Sequence, residues 1–114
     1  MNVYDQAHHL AKAVKNSQEY TEYRAALQKV EANPDYKKLL QDYQKKQFQL
    51  QQTHMMGRQI SEDKKQDIQK LHEILAANPV MSAYITAEYR FGRMMADVQT
   101  IIVDGLDIAP HEQG

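Results

Sequence analysis

The sequence predicts an all-α protein of about five helices, two of them long, forming an antiparallel bundle. Three observations lead there. The stretch from Pro79 to Asp104 carries Val80, Tyr84, Ala87, Phe91, Met94, Val98 and Ile101 at alternating steps of four and three, a heptad stripe broadened by Met81, Met95 and Ile102. The 114 residues include only 4 Gly and 3 Pro, no run alternates as a strand would, and Ala, Gln, Lys, Glu and Leu dominate, a mixture that favours helix. Each amphipathic stretch is also bounded by residues that start or stop helices.

The elements follow in order. Asn2 caps a first helix whose apolar side is Val3, Ala7, Leu10 and Val14, with an end near Lys15. Ser17 caps a second, with Glu19 placing a negative charge at the positive end of its macrodipole and Tyr20, Tyr23, Leu27 and Val30 as its stripe. Ala32-Asn33-Pro34 breaks it; Asn suits a helix C-terminus and Pro is pre-set for the first turn of the next helix. The third helix runs from Pro34 to about Met56 and stops at Gly57. Leu39, Leu40, Tyr43, Leu50 and Met55 face inward, and Phe48 lies off that stripe. Ile60 tucks under the start of a fourth helix, which is capped by Ser61, has Glu62 and Asp63 in its first turn, and carries Ile68, Leu71 and Leu75 inward. Ala77-Asn78-Pro79 repeats the earlier break 45 residues on. The last helix, about 26 residues and roughly 39 Å long, is expected to stop at Gly105. Residues 1–105 then form a single helical domain and residues 106–114 a short flexible tail.

Composition limits the chemistry. The chain has no cysteine, which removes disulfides, thiolate nucleophiles and cysteine-held metal clusters together. A net charge of −1 argues against a dedicated nucleic-acid binder. The N-terminus lacks the apolar core of a signal peptide and no apolar run is long enough to span a bilayer, so the expected location is the cytoplasm. His8 and His9 are adjacent, hence about 100° apart on a helix, and cannot readily share an ion. His54, His72 and His111 are isolated in sequence. No nucleophile–base signature or phosphate-cradling loop is present, and neither catalysis, a metal nor a cofactor is expected.

Interaction is the remaining direction. The stripe Tyr84, Ala87, Phe91, Met94, Val98 and Ile101 is the expected self-association seam, giving a homodimer or higher oligomer. Charge is also uneven. Residues 35–58 hold Lys37, Lys38, Lys45, Lys46 and Arg58 against Asp35 and Asp42, whereas residues 88–114 are acidic. Lys37, Lys38, Lys45 and Lys46 with Phe48 therefore form a candidate partner surface, for a protein or, as an alternative, for RNA.

Taken together, the Tyr4-Asp5-x-Ala7 opening, Ser17-x-Glu19-Tyr20, the Asn33-Pro34 break, Gln47-x-x-Leu50-Gln51 closing at Gly57, and Glu88-Tyr89-Arg90 leading to Met94, Met95, Asp97, Ile101 and Ile102 resemble the YheA/YmcA/YlbF family of small helical bacterial proteins, its YheA-like members above all. The resemblance implies long helices paired between subunits, a cytoplasmic protein, and no catalysis. It further implies a regulatory adaptor, since some relatives act in competence, sporulation and biofilm pathways through a complex that influences a membrane-anchored endoribonuclease. The iron–sulfur clusters of certain relatives do not carry over to a chain without cysteine.

Overall fold

A computed structural model describes residues 2–108. The described chain contains five α-helices and no strand: α1 (Val3–Lys15), α2 (Gln18–Glu31), α3 (Pro34–Met55), α4 (Glu62–Ala77) and α5 (Pro79–Leu106). The expected tail residues 109–114, His111 among them, lie outside the described residues.

Local chemistry explains the boundaries. The Asn2 side chain accepts a hydrogen bond from the Tyr4 amide at 2.7 Å, satisfying one of the orphan donors at the start of α1. Ser17 Oγ accepts from the Tyr20 amide at 3.1 Å and Ser61 Oγ from the Lys64 amide at 3.3 Å. The two Ala-Asn-Pro breaks are the same device. Asn33 Oδ1 accepts from the Asp35 and Tyr36 amides (2.9 and 3.4 Å), and Asn78 Oδ1 from the Val80 and Met81 amides (2.9 and 3.2 Å). Asn therefore acts chiefly as the cap of the helix that follows, rather than closing the one before, and the proline after it needs no amide partner.

One of the two glycine ends departs from expectation. Gly57, at φ 71, ends α3 as foreseen, with the Arg58 amide bonded back to the Thr53 carbonyl at 3.1 Å in a Schellman closure. Gly105 does not stop the last helix. It stays helical, α5 continues to Leu106, and Asp107 takes the left-handed conformation instead, at φ 55. A lone glycine costs a helix only about 1 kcal/mol, and Asp is among the few residues that enter the left-handed region readily.

The chain divides into two compact units: Met1–Tyr23 with Thr86–Gly114, and Arg24–Ile85. In the second, α3 packs against α4. Val30, Leu40, Leu75, Met81 and Tyr84 are buried there, with Leu39, Tyr43, Leu50, Ile68 and Leu71 half-buried around them. Ile60 is half-buried beside Leu50 and Ile68, as its position before Ser61 suggested. Met55 is the exception to the inward set at 80% exposed, because it lies on the side of α3 away from Leu50.

Candidate interaction surface

The first unit has the opposite character. It is built from α1, the first part of α2 and the C-terminal part of α5, and its only buried apolar side chain among the described residues is Ala87. Its internal packing centres on Phe91. That ring stacks on Tyr23, with centroids 5.1 Å apart and planes at 18°, and meets Tyr20 at 5.6 Å in a tilted arrangement. Such aromatic pairs contribute about 0.5–1.5 kcal/mol beyond area burial. An ion pair between Arg90 and Glu22 at 3.6 Å joins the same two helices. Arg93 reaches Tyr89 Oη at 3.5 Å and Asp97 at 3.6 Å, and both contacts, the tyrosine first, raise its pKa. Arg90, Arg93 and Asp97 are largely exposed and Glu22 is half-buried, and ion pairs so open to solvent stabilise little.

Beyond Phe91 the apolar surface is open. No residue of α1 is buried and only Val14 is half-buried; Val3 is 79% exposed, and Tyr4 and Leu10 are exposed as well. On α5, Ile101 is 70% exposed and Met95, Ile102 and Leu106 are exposed, as is Ile108 just beyond the helix. Both helices repeat apolar residues at heptad spacing, the pattern of helices that meet a partner helix. Single exposed apolar side chains are ordinary on a protein surface, but rows on adjoining turns mark interaction sites.

The six residues of the expected seam thus fall into two groups. Tyr84 and Ala87 are buried within the chain and Phe91 is half-buried against α2, while Met94 and Val98 are half-buried and Ile101 is open. The aromatic clasp on Phe91 is the feature that sequence reading left out. Tyr20 and Tyr23 were on the right face of α2, but three residues apart they give no sign of which ring they meet.

The five residues of the other candidate surface lie on α3 and do not share one face. Lys37, Lys38, Lys45 and Phe48 are exposed on one side. Lys46 is half-buried on the other, lining a groove of about 130 Å³ with Leu50, Ile60, Lys64, Asp67 and Ile68. That groove is smaller than the roughly 300–1,000 Å³ typical of small-molecule sites. His8, His9, His54 and His72 are all exposed, and among the described residues no three His, Asp or Glu side chains gather as metal ligands. No helix among the described residues is long and apolar enough to cross a membrane.

Comparison with known proteins agrees with this architecture. A family model described as control of competence regulator ComK, YlbF/YmcA, matches residues 3–107. The chain belongs to the YlbF/YmcA family. Similar relatives include a UPF0342 protein of Halothermothrix orenii, 37% identical over 108 residues (95% of this chain and 92% of that protein). A UPF0342 protein of Caldicellulosiruptor bescii is 35% identical over 106 residues, covering 93% and 89%. Among solved structures, a protein of unknown function (DUF964) from Bacillus stearothermophilus superposes with a TM-score of 0.79 at 19% identity, covering 98% of each chain. Bacillus subtilis RicA, solved in complex with RicF, superposes at 0.59 and 14% identity, covering 94% of this chain and 96% of that one. At these identities the two structures speak for the YlbF/YmcA fold alone.

Proposed function

We propose that this chain is a self-associating regulatory adaptor of the cytoplasm that works by binding other proteins rather than by catalysis. The observation that carries the reading is the first unit's uncovered apolar surface, with Val3 and Ile101 at 79% and 70% exposed and, among the described residues, only Ala87 buried. A second copy of the chain offers the same rows in return, which is the self-complementarity a two-fold interface requires. Within the expected seam, Met94, Val98 and Ile101 would meet the second copy, together with the apolar side of α1. Ala87 and Phe91, in the same unit, would hold α5 in place behind them, while Tyr84 is buried in the second unit.

Membership of a family described by control of a competence regulator supports a regulatory role. The fold neighbour RicA, crystallised with RicF, shows that protein of the same fold engaged with a protein partner, and a comparable partner is proposed here.

The test is a tagged pull-down of the full chain from its native cytoplasm, with and without ribonuclease, combined with light scattering of the purified protein. A stoichiometric protein partner that survives ribonuclease, on a chain that runs as an oligomer, is the expected result. Partners that vanish with ribonuclease would replace this reading with RNA binding.

A further inference from the structure

The outward side of α3 is a second open surface, independent of the first. Phe48 is 60% exposed and Met55, a heptad later, 80%; Met56, the C-cap, is 66%. At about 100° per residue, Phe48 and Met55 point within about 20° of each other, and Phe48 lies about 160° from Leu50, which lines the groove toward α4. The Gly57 closure fixes the helix end that carries the two methionines.

The charges around this row have one sign. Lys37 and Lys45 share its side of the helix, within about 20° and 60° of Phe48. Arg58 follows just beyond the cap. Both carboxylates of α3, Asp35 and Asp42, lie about 140° and 120° round from Phe48, so the side is basic, glutamine-rich and free of acidic groups. Among the described residues none of Lys37, Lys45 or Arg58 joins an ion pair.

We infer that this side of α3 is the docking site for an acidic amphipathic helix of a partner protein. Two apolar anchors one heptad apart are what an i, i+7 helix reads. Methionine adapts its shape to such a face, and the flanking cations select carboxylates and repel basic helices. RNA would use the cations but has little use for a Phe-Met row spaced at a helical repeat. The inference rests on the adaptor reading, to which it adds a partner surface apart from the self-association surface.

The test is fluorescence anisotropy of the full-length chain at low salt with four labelled probes. They are an acidic helical peptide with Leu at a and d positions and Glu elsewhere, its scrambled isomer, its Lys-for-Glu counterpart, and a single-stranded RNA. The acidic amphipathic peptide should bind best. Phe48→Ser and Lys45→Glu should each weaken it by about tenfold or more, with circular dichroism and scattering mass unchanged. Met55→Ser is the companion variant should Phe48→Ser fail to fold. No binding of the acidic peptide, equal binding of the scrambled one, or RNA bound in preference and indifferent to Phe48→Ser would each overturn the inference. A wild-type mass of one copy with peptide binding intact would remove self-association and leave this surface standing.

Discussion

Phe91 stacks on Tyr23 across α2 and α5, ring centroids 5.1 Å apart and planes 18° from parallel. This contact divides the heptad stripe of α5 into a stretch the chain uses for itself and a stretch it leaves open. It also separates the effects of substitutions along one continuous row of residues.

Phe91→Ala should act on folding. Replacing a fully buried Phe by Ala costs about 3–5 kcal/mol. Phe91 is half-buried, so a loss of about 2 kcal/mol is expected, measured as a shift of the urea midpoint with unchanged slope. Tyr23→Ala combined with Phe91→Ala should cost less than the sum of the two, because the rings share one contact.

Ile101→Glu should act on association. The side chain is 70% exposed, so the single chain loses little by the exchange. Burying an unpaired carboxylate against a second copy costs several kcal/mol. Helicity by circular dichroism should stay at the wild-type level while the scattering mass falls to that of one copy.

The two asparagine caps should be interchangeable in magnitude. Asn33→Ala and Asn78→Ala each remove an oxygen that serves two amides. Each should cost about 1 kcal/mol, and the Gly variants only a few tenths. Urea titration of the two singles and the double should show near-additivity, since the caps share no partner.

Two glycines should answer in opposite directions. Gly92 lies inside α5 with nothing within 4 Å of an added Cβ, so Gly92→Ala should stabilise by about 0.5–1 kcal/mol. Gly57 also has open space around it but sits at φ 71, and Gly57→Ala should destabilise by about 1 kcal/mol. Thermal melts of both variants against wild type would show the contrast in sign.

Much of the fold is legible in the sequence because helix termini are decided locally. Asn2, Ser17 and Ser61 each accept from an amide within three residues, so their roles follow from residue type and position. Pro34 and Pro79 mark the helix starts for the same reason. The misplaced end at Gly105 shows the limit. Its intrinsic cost is small enough for the surrounding helix to override, and Asp107 was an equally good place to turn. Met55 was misassigned because α3 has few apolar residues on either side, which leaves its phase weakly determined.

The candidate surfaces were less legible. A heptad row looks the same whether it is covered by its own chain or by another, so Tyr84, buried to 1%, and Ile101, largely open, read alike in sequence. The cluster Lys45, Lys46 and Phe48 looked continuous along the chain. Adjacent helical residues diverge by about 100°, and this sends Lys46 toward the α4 groove and leaves Lys45 with Phe48.

The most direct test of the central claim is the solution mass of the full-length chain by multi-angle light scattering across a range of micromolar concentrations, wild type beside Ile101→Glu. Self-association through the open rows of α1 and α5 predicts a wild-type mass of at least two copies and one copy for the variant, with equal helicity. A wild-type chain that stays at the mass of one copy throughout, or a variant that keeps the wild-type mass, would contradict it.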